Sequence, residues 1–238
     1  MFTQLQLGEL TIDVTLKEIK NVHLSVHPPT GKVRLSAPSQ TNLETLRLYA
    51  ISRLPWIKKQ QTKLRHQERE APRQYLDRES HYFFGKRYLL RVTESDSPST
   101  VLLRHREIEI VAKPGSSEKA RQQLVHDWYR RELRKAARPY VLSWHTSLEV
   151  REPAIGIKKM RTKWGSCSPG QNRIWINLEL AKKPPECLDY LILHETVHML
   201  EPNHGFRFVT IMDQQMPQWR NYRDRLNALP IAHTDWGY

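Results

Sequence analysis

The sequence predicts an α+β fold, and three observations carry that prediction. Strand-like alternation of apolar and polar residues recurs in three blocks along the chain; the first two blocks give way to runs with apolar residues at helical spacing; the third leads into a helix opened by Pro184-Pro185. At 238 residues, 39% of them hydrophobic and 26% charged, the chain is long enough to bury a sizeable core and too apolar for a disordered tail.

The first block runs through Leu10 to Leu16, Val22 to Val26 and Val33 to Leu35. His27-Pro28-Pro29-Thr30-Gly31 is a turn, so the expected arrangement is an N-terminal strand followed by an antiparallel hairpin. Beyond Ala37-Pro38-Ser39, residues Leu43, Leu46, Leu48, Ile51, Leu54 and Ile57 mark a helix that trails into the basic stretch Lys58 to Arg73, with Pro55 placed to kink or break it. The second block repeats the plan. Tyr82–Phe84, Tyr88–Val92, Val101–Leu103 and Ile108–Val111 precede Lys113-Pro114-Gly115-Ser116-Ser117 and a long helix whose apolar stripe is Leu124, Trp128, Leu133 and Ala137. The two blocks have the form of an internal structural repeat, and Pro139 is expected to close or kink the second helix. In the third block Ile155 and Ile157 alternate in a strand directed toward Lys163. Arg173 to Ile176 is its expected hairpin partner, with Trp164-Gly165-Ser166-Cys167 at the bend. Pro185 suits a first helical turn, and Glu186 complements that helix's dipole.

Lys plus Arg number 38 against 25 Asp plus Glu, a formal charge of +13 and a sequence pI of about 9.9. Residues 1–150 carry 26 basic and 16 acidic side chains, and 151–238 carry 12 and 9, so the positive field is concentrated upstream. Such a field attracts a polyanion or simply keeps the surface solvated. Two cysteines, Cys167 and Cys187, exclude a disulfide framework and suit a reducing compartment. The opening MFTQLQLGELTIDV lacks the pattern of a signal peptide, and no apolar window is long enough for a transmembrane helix. A cytoplasmic protein without membrane association is the expectation. The chain is expected to divide near residue 150, into a basic β/α scaffold over 1–150 and a smaller, less charged unit over 151–238.

His194-Glu195-Thr196-Val197-His198 places two imidazoles one helical turn apart on the same side, the spacing that offers two nitrogens to one metal ion. Glu195 sits where it can reach a metal-bound water without being a ligand. Pro202 ends the helix within a turn, and the chain can double back to present His204. Three histidines leave a fourth tetrahedral position open, the arrangement of a catalytic rather than a structural zinc site. A structural site built from Cys167, Cys187, His194 and His198 is the competing reading, and it leaves Glu195 and His204 without a use.

These residues, together with Arg161-Thr162-Lys163-Trp164-Gly165-Ser166-Cys167 and Pro202-Asn203-His204-Gly205-Phe206-Arg207-Phe208, resemble the YgjP-like metallopeptidase family and are similar to the broader SprT-like zinc metallopeptidases. The resemblance extends over about residues 20–230, which offers one continuous domain as the alternative to a division near 150. It implies a zincin-like α+β fold, with metal-binding helices packed on a small twisted antiparallel sheet. It also implies Zn2+ as cofactor, held by His194, His198 and His204, with Glu195 as general base. Metzincins share the spacing of the three histidines, but Glu201 stands where they carry glycine.

Peptide hydrolysis is the leading reading of the resemblance. The same centre would serve a nucleoside triphosphate pyrophosphatase acting on UTP, and a third reading is nucleic-acid association through the basic helices over 41–73 and 117–138. Arg161, Lys163, Trp164 and Arg173 are the candidate substrate-binding residues: with Lys158 and Lys159 the cations suit phosphate oxygens, and Trp164 suits a stacking platform or cleft wall. Cys167 reads as a small buried hydrophobe, and Phe206, Phe208, Met212 and Met216 as a packing stripe beneath the third histidine. Asp189, Glu201 and Asp213 are candidates to orient the imidazoles.

Overall fold

A computed structural model describes residues 2–27, 30–66, 73–160 and 163–228, which group into two compact units, one before residue 69 and one after it. In the first, β1 (Phe2–Leu7), β2 (Leu10–Lys17), β3 (His23–His27) and β4 (Lys32–Pro38) form a sheet ordered β1-β2-β4-β3. The outer pairs are antiparallel and the central pair β2-β4 is parallel. Ile12, Val14, Val33, Leu35 and Ala37 are fully buried, packed with Leu46 and Ala50 of α1 (Leu43–Ser52) and Ile57 of α2 (Leu54–His66). The expected hairpin is present as β3-β4. β1 is an addition, hidden in the sequence because its alternating Gln4 and Gln6 leave little apolar signal. The helix breaks at Arg53, and Pro55 falls in the first turn of α2, where its missing N–H removes no helical bond.

The second unit begins with β5 (Ser80–Phe83), β6 (Lys86–Glu94), β7 (Thr100–Leu103) and β8 (Glu107–Ala112), ordered β5-β6-β8-β7 with the same pairing senses as the first sheet. The repeat expected from the sequence therefore exists at the level of topology. α3 (Glu118–Ser147) follows, with the Ser117 side chain accepting from the Ala120 N–H at its start. Pro139 does not close this helix. The chain stays helical to Ser147, because Val125, Trp128, Tyr129, Leu133, Ala137 and Val141 form one buried stripe extending past the proline.

A third sheet, of β9 (Ala154–Lys158), β10 (Gly165–Ser168) and β11 (Arg173–Asn177), is ordered β10-β11-β9. It corrects two expectations. The hairpin is made by β10 and β11, joined by a 3-10 turn at Pro169–Gln171 and Asn172 in the left-handed region, and not by the strand at Ile155. β9 instead pairs parallel to β11, so the sheet is mixed rather than wholly antiparallel. This sheet repeats the last three strands of the other two, with a parallel pair and then an antiparallel return. At its centre Gly156 lies opposite Trp175, whose ring would be 2.4 Å from any Cβ placed there.

Three helices complete the unit: α4 (Pro185–Val197), α5 (Phe206–Gln215) and α6 (Trp219–Ala228). α4 is buried on nearly every side, by Cys187, Leu188, Leu191, Ile192, Leu193 and Val197 among others, and so behaves as a central helix rather than an amphipathic surface one. Its start is pinned by the β5-β6 turn, where Phe84 and Gly85 both have positive φ and donate their N–H groups to Ala181 and Lys182 carbonyls. A Cβ on Gly85 would stand 2.9 Å from the Pro184 ring. The boundary expected near 150 lies inside this unit, whose core takes residues from α3, the third sheet and α4 together. Among the described residues no helix is long and apolar enough to cross a membrane.

Candidate metal centre

α4 carries His194 and Glu195 in its last turn, and His198 caps its C-terminus. The chain then tightens: the N–H groups of Leu200 and Glu201 both bond to the Val197 carbonyl before Pro202 prevents further helix. The short loop that follows returns His204 to the same side, and α5 begins at Phe206 behind it. One ligand nitrogen from each of His194, His198 and His204 lies within 4.8 Å of the others. The three rings pack with centroids 4.7 to 5.0 Å apart, and each also contacts Phe208, which is 1% exposed.

The donor set fits a zinc ion. The Nε2 atoms of His194 and His204 stand 3.1 Å apart. A tetrahedral centre with nitrogen ligands at about 2.0–2.1 Å needs ligand nitrogens about 3.3–3.4 Å apart. His198 donates its Nδ1–H to the Glu201 carbonyl at 2.9 Å, which leaves its Nε2 free to ligate, and His194 Nδ1 shares a 3.4 Å hydrogen bond with the Tyr190 hydroxyl one turn earlier on α4. Burial and the two neighbouring imidazoles push the pKa of His194 down to about 3, so the ring is neutral and its lone pair available. His204 is shifted down for the same reasons, burial foremost and His198 second.

Glu195 is 5% exposed, and burial raises its carboxyl pKa to about 7 against the opposing pull of the Lys163 charge and the Cys167 backbone N–H. It is held close to the backbone of β10. A Cβ on Gly165 would lie 2.7 Å from Glu195 Oε1 and 3.0 Å from its Cγ, so only glycine at that position leaves room for the carboxylate. Two cavities meet at this point, sharing Lys163, Gly165, His194 and Glu195. One, of about 410 Å³, extends over Ser166, Cys167, His198, Pro202 and His204. The other, of about 200 Å³, is walled by Trp164, Tyr190, Leu191, Arg223 and Leu226.

The sequence-predicted residues divide accordingly. Lys163 and Trp164 line the cavities, Trp164 half-buried with the Lys183 ammonium 5.8 Å from its ring. Arg161 lies outside the described residues. Arg173 is at the start of β11 and lines neither cavity; its guanidinium covers Trp175 from 5.4 Å, with Lys158 over the same ring at 4.4 Å. None of the three carboxylates expected to orient the imidazoles does so. Asp189 accepts from Trp144 Nε1, Asp213 accepts from Trp219 Nε1 and pairs with Arg220, and the Glu201 side chain pairs with Arg207. A backbone carbonyl and a tyrosine take that role, and neither leaves a signal in residue type at a distance. Phe208, Met212 and Met216 are buried as expected, but Phe206 is 89% exposed, since it opens α5 on the solvent side. Burial pushes the Cys167 thiol up to about 11, its Sγ resting 3.5 Å from Met199 Sδ, and Cys187 is wholly buried in the core. The alternative Cys₂His₂ site is not assembled. Tyr190 and Leu191 of α4 and Arg223 and Leu226 of α6 are cavity residues that sequence reading missed.

The family described as YgjP-like, metallopeptidase domain, matches residues 20–229. No curated protein matches the chain. Among solved structures, the chain is similar to the metallopeptidase zymogen of Methanocaldococcus jannaschii jannalysin, at 24% sequence identity and a TM-score of 0.35, over 38% of this chain and 92% of that one.

Proposed function

The chain belongs to the YgjP-like metallopeptidase family, and from that membership we propose a zinc-dependent peptidase in which His194, His198 and His204 hold the ion through Nε2 and Glu195 is the general base. The observation that carries this reading is the convergence of three imidazoles and one buried carboxylate beside the outer edge of β10. A zinc ion held there supplies Lewis acidity and lowers the pKa of a bound water to about 7.

The chain's own residues do the rest. Asn177 donates its N–H to the Trp164 carbonyl, which sets the phase of the alternating ladder: Ser166 and Ser168 face β11, and Gly165 and Cys167 turn their backbone groups outward. The Cys167 N–H is taken by Glu195. An extended peptide added along this edge would run across the cavity lined by the three histidines and Glu195. Glu195 takes a proton from the attacking water through a carboxylate oxygen and returns it to the leaving amine nitrogen as the C–N bond breaks.

The test pairs zinc quantification with turnover of unstructured polypeptides. Glu195→Gln should retain zinc and lose roughly 10²- to 10⁴-fold in rate, and a chelator should abolish activity that added zinc restores. Full activity in Glu195→Gln overturns the mechanism. Lys163 and Arg223 beside the site favour a second reading, hydrolysis of a nucleoside triphosphate. Pyrophosphate release without cleavage of any polypeptide would establish that reading in place of the first.

A further inference from the structure

The smaller cavity beside Glu195 has a composition that the peptidase reading does not by itself explain. Its walls are apolar: Trp164 half-buried, Leu191 4% exposed and Leu226 1% exposed. Two cations, Lys163 and Arg223, are among its polar lining residues. Lys163 forms no ion pair with a described residue, and its charge acts on Glu195. The Arg223 guanidinium lies 5.1 Å from the Trp219 ring and spends only its Nε on the adjacent Asp224, at 2.9 Å, so its terminal nitrogens carry no hydrogen bond to a described residue. Its charge acts on the Tyr190 hydroxyl, which lines the same cavity.

We propose that this cavity is a specificity subsite for a glutamate side chain of the peptide substrate, with Arg223 as the specificity-determining residue. The inference rests on the peptidase reading above and adds a substrate class to it. Taken by itself the cavity is of side-chain size, since about 200 Å³ falls below the roughly 300–1,000 Å³ of complete small-molecule sites, and the larger cavity it meets at Glu195 is left for the peptide backbone. Charge favours an anion at the Arg223 end: Lys163 and Arg223 both line the cavity, Glu195 is the one carboxylate in its lining, and Asp224, which pairs with Arg223 through Nε, is outside that lining and leaves the terminal nitrogens unengaged. The apolar walls suit methylene groups behind that anion, which favours glutamate over aspartate, and a planar guanidinium with free terminal nitrogens can take a carboxylate in a fork.

Zinc-loaded protein is given paired peptides that differ only in Glu against Gln at each position flanking the scissile bond. Binding of the same pairs to zinc-loaded Glu195→Gln is measured by calorimetry, which separates recognition from turnover. The expected result is a preference of about tenfold or more for Glu at one position, in both cleavage and binding, declining as salt is raised. In Arg223→Gln that ratio should collapse toward one, and in Arg223→Glu it should invert in favour of Gln. Thermal melts establish that both variants are folded; because Arg223 is substantially exposed, neither substitution opens the core. Cleavage of peptides with no discrimination between Glu and Gln, or discrimination that survives in Arg223→Gln, overturns the subsite and leaves the peptidase reading intact. A phosphoserine peptide preferred over the glutamate peptide overturns the carboxylate assignment. Nucleoside triphosphate hydrolysis with no peptide cleaved overturns the peptidase reading, and the subsite with it.

Discussion

Replacing Gly165 with alanine adds one methyl group at the point where β10 meets α4, and the structure says what that methyl would strike. It would lie 2.7 Å from Glu195 Oε1, 3.0 Å from its Cγ and 3.1 Å from its Cδ. Ordinary contact begins near 3.4 Å, so about 0.7 Å has to be found. The carboxylate end of Glu195 is the movable partner, because it reaches into the cavity while the backbone on both sides is fixed in a strand and a helix. The expected stability cost is that of mild overpacking, about 1–3 kcal/mol, and the protein should remain folded. Function should suffer more. A misplacement of about 1 Å in a reacting group costs on the order of 10²-fold in rate, so kcat/KM should fall between about tenfold and a hundredfold. Zinc affinity should be unchanged, since none of the three histidines is among the atoms the methyl meets. The measurements are kcat/KM on a polypeptide substrate, zinc stoichiometry and a thermal melt, with Gly165→Ala combined with Glu195→Gln as a control. If the glycine acts only through Glu195, the double variant is no slower than Glu195→Gln alone. Wild-type kcat/KM in Gly165→Ala, or loss of zinc, would refute the reasoning.

Two further predictions concern the surroundings of the site. Tyr190→Phe removes the hydroxyl that orients His194 and should weaken zinc binding by roughly tenfold, the low end of such effects because the partner is neutral and the bond long. A chelating dye in competition measures this, and unchanged affinity would remove Tyr190 from that role; stability should hardly move, because the ring keeps its stack on Trp219. Far from the metal, His81 is 3% exposed and faces Glu79, Arg73, Tyr75 and Lys182. Burial above all lowers its pKa from 6.5 to about 4. The unfolded chain therefore takes up a proton below about 6.5 that the folded chain refuses until about 4, so stability present above pH 6.5 is lost as pH falls through that window, by up to about 3 kcal/mol. His126 shifts in the same direction. Melting temperatures from pH 7 to 4.5 should fall less steeply in His81→Gln than in the wild-type protein, and an unchanged slope would assign the pH dependence elsewhere.

The parts of this protein that were legible in its sequence are those written in local spacing. His194 and His198 meet because a helix repeats every 3.6 residues, and His204 joins them because Pro202 stops that helix within a turn. The doubled strand-and-helix plan is likewise visible as alternation followed by helical periodicity, and the two four-stranded sheets share one strand order. Pro55 and Pro139 mark where local rules end. The first falls at a true break, and the second is overridden by a buried stripe on which Ala137 and Val141 lie to either side of it.

What only the tertiary structure decided depends on residues distant in the chain. Alternation reveals that a strand exists and says nothing about its partner, so the parallel pairing of β9 with β11, and the consequent exposure of β10 as the edge beside the candidate metal centre, could not be read in advance. Of the cations chosen for their nearness in sequence to Trp164, Lys163 stays at the site, whereas Arg173 covers Trp175 away from both cavities. Arg223, sixty residues farther along the chain than Lys163, arrives on α6 to complete the cavity wall. The carboxylates that residue type favoured as orienting groups are taken by Trp144, Trp219, Arg207 and Arg220, and the histidines are held by a carbonyl and a tyrosine. A short helical motif therefore specified the candidate metal centre, because its three histidines lie within one turn and a loop. The shape, charge and strand edge around it come from segments that meet only when the core closes.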